Sequence, residues 1–348
     1  MADPSDPAFA ALLRPFDEGL LQRMPALFLR ARAHPGLGDW PGLLATQPFK
    51  PAADALRLAG IALVDEASPG PAGPFALILL LPPRQREEAR ALLAQALARL
   101  APGGRIVAAA PNDAGARALE ADLQALCGPL SVLSKHKCRV LWTAPLAAAP
   151  DPALQSRWAT LDAPRSIASD EVPGGCFRSR PGVFAWDRVD AASRLLAQHL
   201  PAGLSGRAAD LGAGWGYLSM MLLARCPGIA ALDLFEADAR ALDLARLNLA
   251  DARVPVGFHW QDVAAGIDGR FDVIACNPPF HALERGERPD LGRAFIAAAA
   301  RALAPRGQLW LVANRHLPYE QALAGGFAQV QTVAQQGGFK IVRAERGR

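Results

Sequence analysis

The chain has 348 residues, enough for two domains of ordinary size, and 51% of them are hydrophobic, enough for two cores. A formal charge of +4 permits an anionic partner without demanding one. The five cysteines include no CxxC pair and no cluster with histidine, which argues against a metal site and for reduced thiols. The start, MADPSDPAFA, is acidic and has no basic segment followed by an apolar run, and the most apolar stretch, residues 75–81, is far too short for a bilayer. Neither a secretory leader nor a membrane anchor is expected, and the expected setting is the cytoplasm.

In chain order, residues 74–83 (PFALILLLPP) read as an apolar strand closed by two prolines, and an Ala/Leu-rich helical stretch follows. Residues 100–107 (LAPGGRIV) then open another strand. Residues 145–164 (PLAAAPDPALQSRWATLDAP) are rich in Ala, Pro and Asp without a long apolar period, so the domain boundary is placed there, giving domains 1–155 and 165–348. Beyond it, strands are expected at 207–211, 229–235, 254–260, 271–276 and 308–313. Helices are expected at 217–225, 237–249 and 291–303, and a closing hairpin at 330–334 and 339–344 turns across Gly337-Gly338. Strands separated by helices imply right-handed crossovers and a mainly parallel sheet, to which the hairpin adds an antiparallel edge.

The two halves share this plan. Residues 270–279 (RFDVIACNPP) align without a gap on 74–83, and 303–310 (LAPRGQLW) align on 100–107. The fold expected is therefore α/β, a tandem duplication. The first copy is degenerate, because Leu81 stands where Asn277 stands and no glycine loop precedes it.

The second copy carries Asp210-Leu-Gly212-Ala-Gly214-Trp-Gly216 between a strand and a helix. Glycines there let the backbone turn tightly and approach a ligand. A carboxylate at Asp210 would repel a pyrophosphate but favour a sulfonium and an ammonium, which points to S-adenosylmethionine (SAM) rather than a dinucleotide. Glu236 and Asp262 follow the next two strands, placed to accept from ribose hydroxyls and from an adenine amine. Each acid taken alone is equally a solvated turn residue.

Asn277-Pro278-Pro279-Phe280 follows the fourth strand. A conjugated exocyclic amine is a poor nucleophile, so its methylation needs the N–H groups aimed at fixed acceptors. The Asn277 side-chain oxygen and the Pro278 carbonyl are two such acceptors, the prolines stiffen the loop, and Phe280 offers a face for a flipped base. Read alone, Asn-Pro-Pro is equally a strand-terminating turn.

These motifs resemble class I SAM-dependent methyltransferases acting on planar amino groups. With 181–190 (PGVFAWDRVD), 313–319 (ANRHLPY) and 338–343 (GFKIVR), the chain is similar to the bacterial small-subunit ribosomal RNA guanine-N2 methyltransferases of the "C" type. That resemblance implies two Rossmann-like methyltransferase domains, the first without cofactor. It implies SAM at Asp210, Gly212, Gly214, Gly216, Glu236, Asp262 and Asn277, and the guanine at Asn277, Pro278, Pro279 and Phe280. It also brings Lys340 to the substrate, while His281, next after the turn, is placed either to contact the base or to cap the next helix. Ala185-Trp186 departs from the family, which tends to have a small hydroxyl residue and a polar neighbour there. The partner implied is ribosomal RNA in the small subunit, met by a monomer; phosphate contacts are sought at Lys135, His136, Lys137 and Arg139, at Arg178 and Arg180, and at Arg343, Arg346 and Arg348. Alternatives stay open: 23S RNA, adenine or protein glutamine as the methylated group, or a non-catalytic RNA-binding assembly factor. An oxidoreductase is disfavoured by Asp210 and the Asn-Pro-Pro turn.

Overall fold

The computed structural model describes residues 6–65, 73–279 and 289–348, which fall into two compact units, Met1–Ala163 and Pro164–Arg348. The first unit holds strands β1 (Ala26–Leu29), β2 (Leu43–Ala45), β3 (Ala62–Leu63), β4 (Phe75–Leu80), β5 (Leu100–Pro111), β6 (Leu130–Lys135) and β7 (Cys138–Thr143). They form one sheet in the order β3-β2-β1-β4-β5-β7-β6, parallel through β5 and closed by the antiparallel β6–β7 hairpin. Helices α1 (Pro7–Asp17), α2 (Lys50–Leu58), α3 (Arg86–Ala98), α4 (Ala116–Cys127) and α5 (Pro152–Ala159) accompany it.

The second unit opens with a separate hairpin, β8 (Arg165–Ala168) and β9 (Cys176–Ser179). Its main strands are β10 (Ser205–Leu211), β11 (Gly228–Glu236), β12 (Val256–Trp260), β13 (Phe271–Cys276), β14 (Leu303–Asn314), β15 (Gln329–Gln336) and β16 (Phe339–Glu345). Their order, β12-β11-β10-β13-β14-β16-β15, repeats that of the first unit strand for strand. Helices α6 (Ala191–His199), α7 (Tyr217–Arg225), α8 (Ala239–Asn248), α9 (Pro289–Ala302) and α10 (Glu320–Gly326) complete it. Successive residues of the central strands feed two separate cores: Ala208, Leu234 and Val273 go to one, and Ala209, Phe235 and Ile274 to the other. That is the burial of a parallel sheet covered on both faces.

One boundary differs from expectation in an informative way. The helix ends at Ala302 and β14 begins at Leu303 rather than 308. Leu303 pairs with Phe271 and Gln308 with Val273, so the residues between bulge out, with Arg306 at φ 64°. The first unit does the same: Leu100 pairs with Phe75, Arg105 with Leu77, and Gly103 takes φ 81°. The duplication thus extends to a shared bulge.

The register also fixes which residues of the first unit correspond to Asp210, Gly212, Glu236 and Asn277 of the second. Leu29 pairs with Leu80 as Leu211 pairs with Cys276, which sets Leu81 against Asn277, Phe28 against Asp210 and Arg30 against Gly212. Phe28 pairs with Ala45 as Asp210 pairs with Leu234, which sets Gln47 against Glu236. Gln47 keeps the turn bond of its counterpart: its Oε1 accepts from the Phe49 N–H at 2.9 Å, as Glu236 Oε1 accepts from the Asp238 N–H at 2.8 Å. Arg30 holds a left-handed backbone, φ 54°, and its guanidinium is ion-paired to the buried Glu88. The position of Gly212 in the second unit thus carries a long, ion-paired side chain in the first. Arg30→Ala removes the ion pair at the buried Glu88 carboxylate and is expected to destabilise the chain by about 3 kcal/mol, read from the urea midpoint.

Among the described residues, no helix is long and apolar enough to cross a membrane.

Candidate active site

The strand order reverses between β10 and β13, and the loops leaving their C-terminal ends open onto one crevice, where ligands bind in open α/β sheets. The glycine loop leaves β10 and Asn277-Pro278-Pro279 leaves β13. All three glycines have positive φ, and each meets something different. A Cβ on Gly212 would lie 3.3 Å from the Phe295 ring, and one on Gly216 would lie 3.3 Å from Ala245 of α8. A Cβ on Gly214 would meet nothing within 4 Å, so the open side of the loop is at Gly214. Gly216 therefore serves helix packing, and Gly214 faces the space a ligand can use.

Trp215, between two of these glycines, turns inward. Its ring stacks on Phe177 of β9 with centroids 4.0 Å apart, and its Nε1–H donates to the Ala185 carbonyl at 3.3 Å. Asn248 ties the same parts together: its Nδ2 donates to the Trp215 and Arg178 carbonyls, and its Oδ1 accepts from the Arg178 N–H at 2.6 Å. The segment after β9 is thereby fastened over the loop. A cavity forms there, lined among others by Phe184, Asp190, Ser193, Gly212, Gly214 and Asn277. Of the residues singled out in the sequence, the cavity brings together Gly212, Gly214 and Asn277.

The three acids lie around this cavity rather than in its wall. Glu236, the last residue of β11, accepts from the Gly214 N–H and the Asp238 N–H, both at 2.8 Å, so it shapes the loop it flanks. Burial raises its pKa against those two bonds. Asp262 stands two residues beyond β12 and caps a short 3-10 turn through the Ala264 N–H at 2.9 Å, leaving its second oxygen clear of that bond.

Asp210 differs from its reading as a plain anionic strand-end residue. It lies inside β10, fully buried, with Oδ2 accepting from the Ser219 hydroxyl at 2.8 Å and Oδ1 without a hydrogen-bond partner among the described residues. Burial, and to a smaller degree the charge of Glu236, pushes its pKa up to about 7 against the Ser219 bond. In the free chain burial therefore favours the protonated carboxyl far more than at an ordinary aspartate.

Asn277 is held from an unexpected direction. Its Nδ2 donates to Asp190 Oδ2 at 3.0 Å and to Ser193 Oγ at 2.8 Å, while its Oδ1 is buried and has no partner among the described residues. The amide's donors are spent and its acceptor is left over. Nothing in the sequence marks Asp190 and Ser193 as site residues. They lie 87 and 84 positions away, and an N-cap Asp is too common to signal a site.

Lys340, which the resemblance brings to the substrate, is held inside the protein. Its ammonium is buried, 2.6 Å from Glu320 Oε1 and 3.0 Å from the Leu317 carbonyl, where it fixes the chain after β14. Phe280 and His281 lie outside the described residues. Lys135, His136 and Lys137 are exposed around the β6–β7 turn, whereas Arg139 is paired with Glu120 and Arg343 with Glu345. Among the described residues, no group of three or more His, Cys, Asp or Glu is placed to hold a metal.

A sheet of this order, with a glycine loop and an Asn-Pro-Pro turn on either side of its switch point, is that of a class I SAM-dependent methyltransferase. Residues 174–343 match the methyltransferase small domain family. The ribosomal RNA small subunit methyltransferase C of Psychromonas ingrahamii is 30% identical over 271 residues, covering 77% of this chain and 75% of that protein. The protein of the same name from Cronobacter sakazakii is 32% identical, covering 76% of this chain and 74% of its own length. A solved structure, the T. thermophilus 16S rRNA N2 G1207 methyltransferase in complex with AdoMet and guanosine, superposes with a TM-score of 0.81 at 26% identity, covering 98% of this chain and 92% of that one. The chain belongs to the ribosomal RNA small subunit methyltransferase C family.

Proposed function

We propose that this chain transfers the methyl group of SAM to the exocyclic N2 amine of a guanine in 16S ribosomal RNA. The observation that carries the chemistry is the Asn277 amide, with both donors satisfied inside the protein and Oδ1 left as a buried acceptor. The T. thermophilus relative, with its bound AdoMet and guanosine, supports both the cofactor and the base. The residues fit SAM: Gly214 leaves open space, and Asp210 and Glu236 flank the loop, Glu236 bonded to the Gly214 N–H and Asp210 to the Ser219 hydroxyl. Glu236 retains lone pairs for ribose hydroxyls, the second oxygen of Asp262 suits the adenine amine, and Asp210 suits the charge of the amino-acid end.

SAM supplies an electrophilic methyl on a sulfonium. The chain supplies orientation and charge stabilisation. Asn277 Oδ1 and the Pro278 carbonyl accept the N–H groups of the target amine, and both bonds strengthen as that nitrogen becomes positive. Pro278 and Pro279 keep the acceptors in place, Phe280 stacks on the flipped base, and His281 borders it. The substrate is ribosomal RNA in its small-subunit setting, the enzyme acts as a monomer in the cytoplasm, and Lys340 steadies the chain beside the site rather than binding phosphate.

The test is transfer of radiolabel from SAM to purified ribosomal RNA and subunits lacking the modification. Label in 16S RNA is expected; label confined to 23S RNA, or none, overturns the reading. Calorimetry on the full chain should give one SAM site, unchanged by Arg30→Ala, because Phe28, Arg30, Gln47 and Leu81 stand in the first unit where Asp210, Gly212, Glu236 and Asn277 stand in the second. A second site lost with Arg30→Ala would contradict this.

The first unit is assigned to RNA orientation and stability, through the exposed Lys135 and Lys137 of its terminal hairpin. Lys135→Glu with Lys137→Glu should weaken RNA binding about tenfold at low salt and flatten its salt dependence, with SAM affinity unchanged. Filter binding across a salt series reads both, and unaltered RNA affinity would remove the assignment.

A further inference from the structure

We infer that Asp190 and Ser193 are positioning residues that hold the Asn277 amide in the one orientation able to accept from the target amine; the inference rests on the reading of Asn277 above. An asparagine side chain can present either its oxygen or its NH₂ group to a substrate, and the two orientations have nearly the same shape. Only one is useful. With NH₂ turned outward, a donor would face the donors of the incoming amine.

The two partners decide between them. Asp190 Oδ2 is fixed as an acceptor by the Ser193 N–H, so it faces the NH₂ group of Asn277, and it does so at 3.0 Å. The Ser193 hydroxyl accepts from the same nitrogen at 2.8 Å. Flipping the amide would set the Asn277 oxygen against a carboxylate oxygen. The carboxylate is itself anchored, because Asp190 Oδ2 also accepts from the Ser193 N–H at 2.8 Å as the N-cap of α6. A carboxylate opposite the NH₂ group also polarises the amide and makes its free oxygen a stronger acceptor.

The first unit serves as an internal comparison. There the helix preceding the first strand is also capped by an aspartate, Asp6, which accepts from the Ala8 and Phe9 N–H groups. The residue three positions after that cap is Phe9, where the second unit has Ser193, and Leu81 stands for Asn277. Asp6 pairs instead with Arg32. The cap survives in the copy that lacks the amide, so capping belongs to the fold. The serine and the asparagine are absent together, as expected of residues that work as a unit.

The test is a double-mutant cycle on the full-length enzyme, read as single-turnover methyl transfer with saturating SAM. Ser193→Ala leaves the helix cap intact and should slow transfer about tenfold, with SAM affinity, RNA KM and unfolding midpoint nearly unchanged. Asp190→Ser, which preserves a capping hydroxyl, should slow it at least as much. In an Asn277→Ala background, Ser193→Ala should cause no further loss, because the group it positions is gone. A full rate in Ser193→Ala, or the same fold-loss in both backgrounds, overturns the positioning role while leaving Asn277 as the acceptor. A full rate in Asn277→Ala alone overturns the acceptor reading itself.

Discussion

Asn277→Ala is expected to lower single-turnover methyl transfer by about two to three orders of magnitude, the usual loss when one pre-aimed polar partner of a developing charge is removed. The fold should persist. Asn277 is only partly buried, and its removal leaves Asp190 still bonded to the Ser193 N–H. SAM affinity should change little, since Glu236 and the glycine loop are built without it, and RNA affinity should persist because it is spread over phosphates. The matched control is Leu81→Ala at the equivalent strand end of the first unit. Leu81 is 6% exposed, and its truncation should cost about 2–4 kcal/mol of stability through lost packing while folded enzyme keeps near-normal turnover. Rapid-quench transfer assays and urea denaturation on the pair separate chemistry from packing. Full activity in Asn277→Ala would reduce the Asn-Pro-Pro turn to a structural feature.

Asp210→Asn should trade function for stability. The carboxyl is raised to about 7 by burial, so between pH 4 and 7 the folded chain holds a proton that the unfolded chain has released. Stability therefore falls as pH rises through that window, and the full penalty, at most on the order of 4 kcal/mol, is present above it. Asparagine keeps an acceptor for the Ser219 hydroxyl without the charge. The ligand-free variant should accordingly melt several degrees higher than the parent at pH 8, with the difference closing by about pH 4. SAM affinity should fall about tenfold or more at pH 8. In the parent, affinity should rise from pH 6 to 7.5, because a cationic ligand selects the ionised carboxylate, and the proton released should appear as a buffer-dependent heat in calorimetry. A variant no more stable than its parent at pH 8 would contradict the assigned cost of burial.

How much of this was legible in the sequence depends on the distance over which each feature is decided. The sheet and its duplication were legible because strand, Pro-Pro and the bulged LAPGG and LAPRG segments recur in order, and each is a local pattern. The glycine loop and Asn277 were legible as residue types after particular strands. What holds Asn277 was not: Asp190 and Ser193 meet it only because α6 packs beside β13's exit, and no spacing rule links positions so far apart. The latch formed by Phe177, Trp215 and Asn248 is non-local in the same way. Asp210 was legible as an acid but not as a raised one, since its environment comes from α7 and β13 folding over it. Lys340 is a further case in which the environment is set by distant residues. The resemblance brings it to the substrate, but its bonds to Glu320 and the Leu317 carbonyl follow from no local pattern. The correspondence of Arg30 with Gly212 and of Gln47 with Glu236 emerges only from strand register.

The most direct test of the central claim is mass spectrometry of nucleosides from the two ribosomal RNAs, isolated from cells with and without the gene and after treatment of the deficient small subunits with enzyme and SAM. The account predicts that N2-methylguanosine in 16S RNA falls by one residue per molecule without the gene and is restored by the enzyme, but not by Asn277→Ala. Unchanged N2-methylguanosine in 16S RNA, with loss of a methyladenosine or of a 23S modification instead, would contradict it.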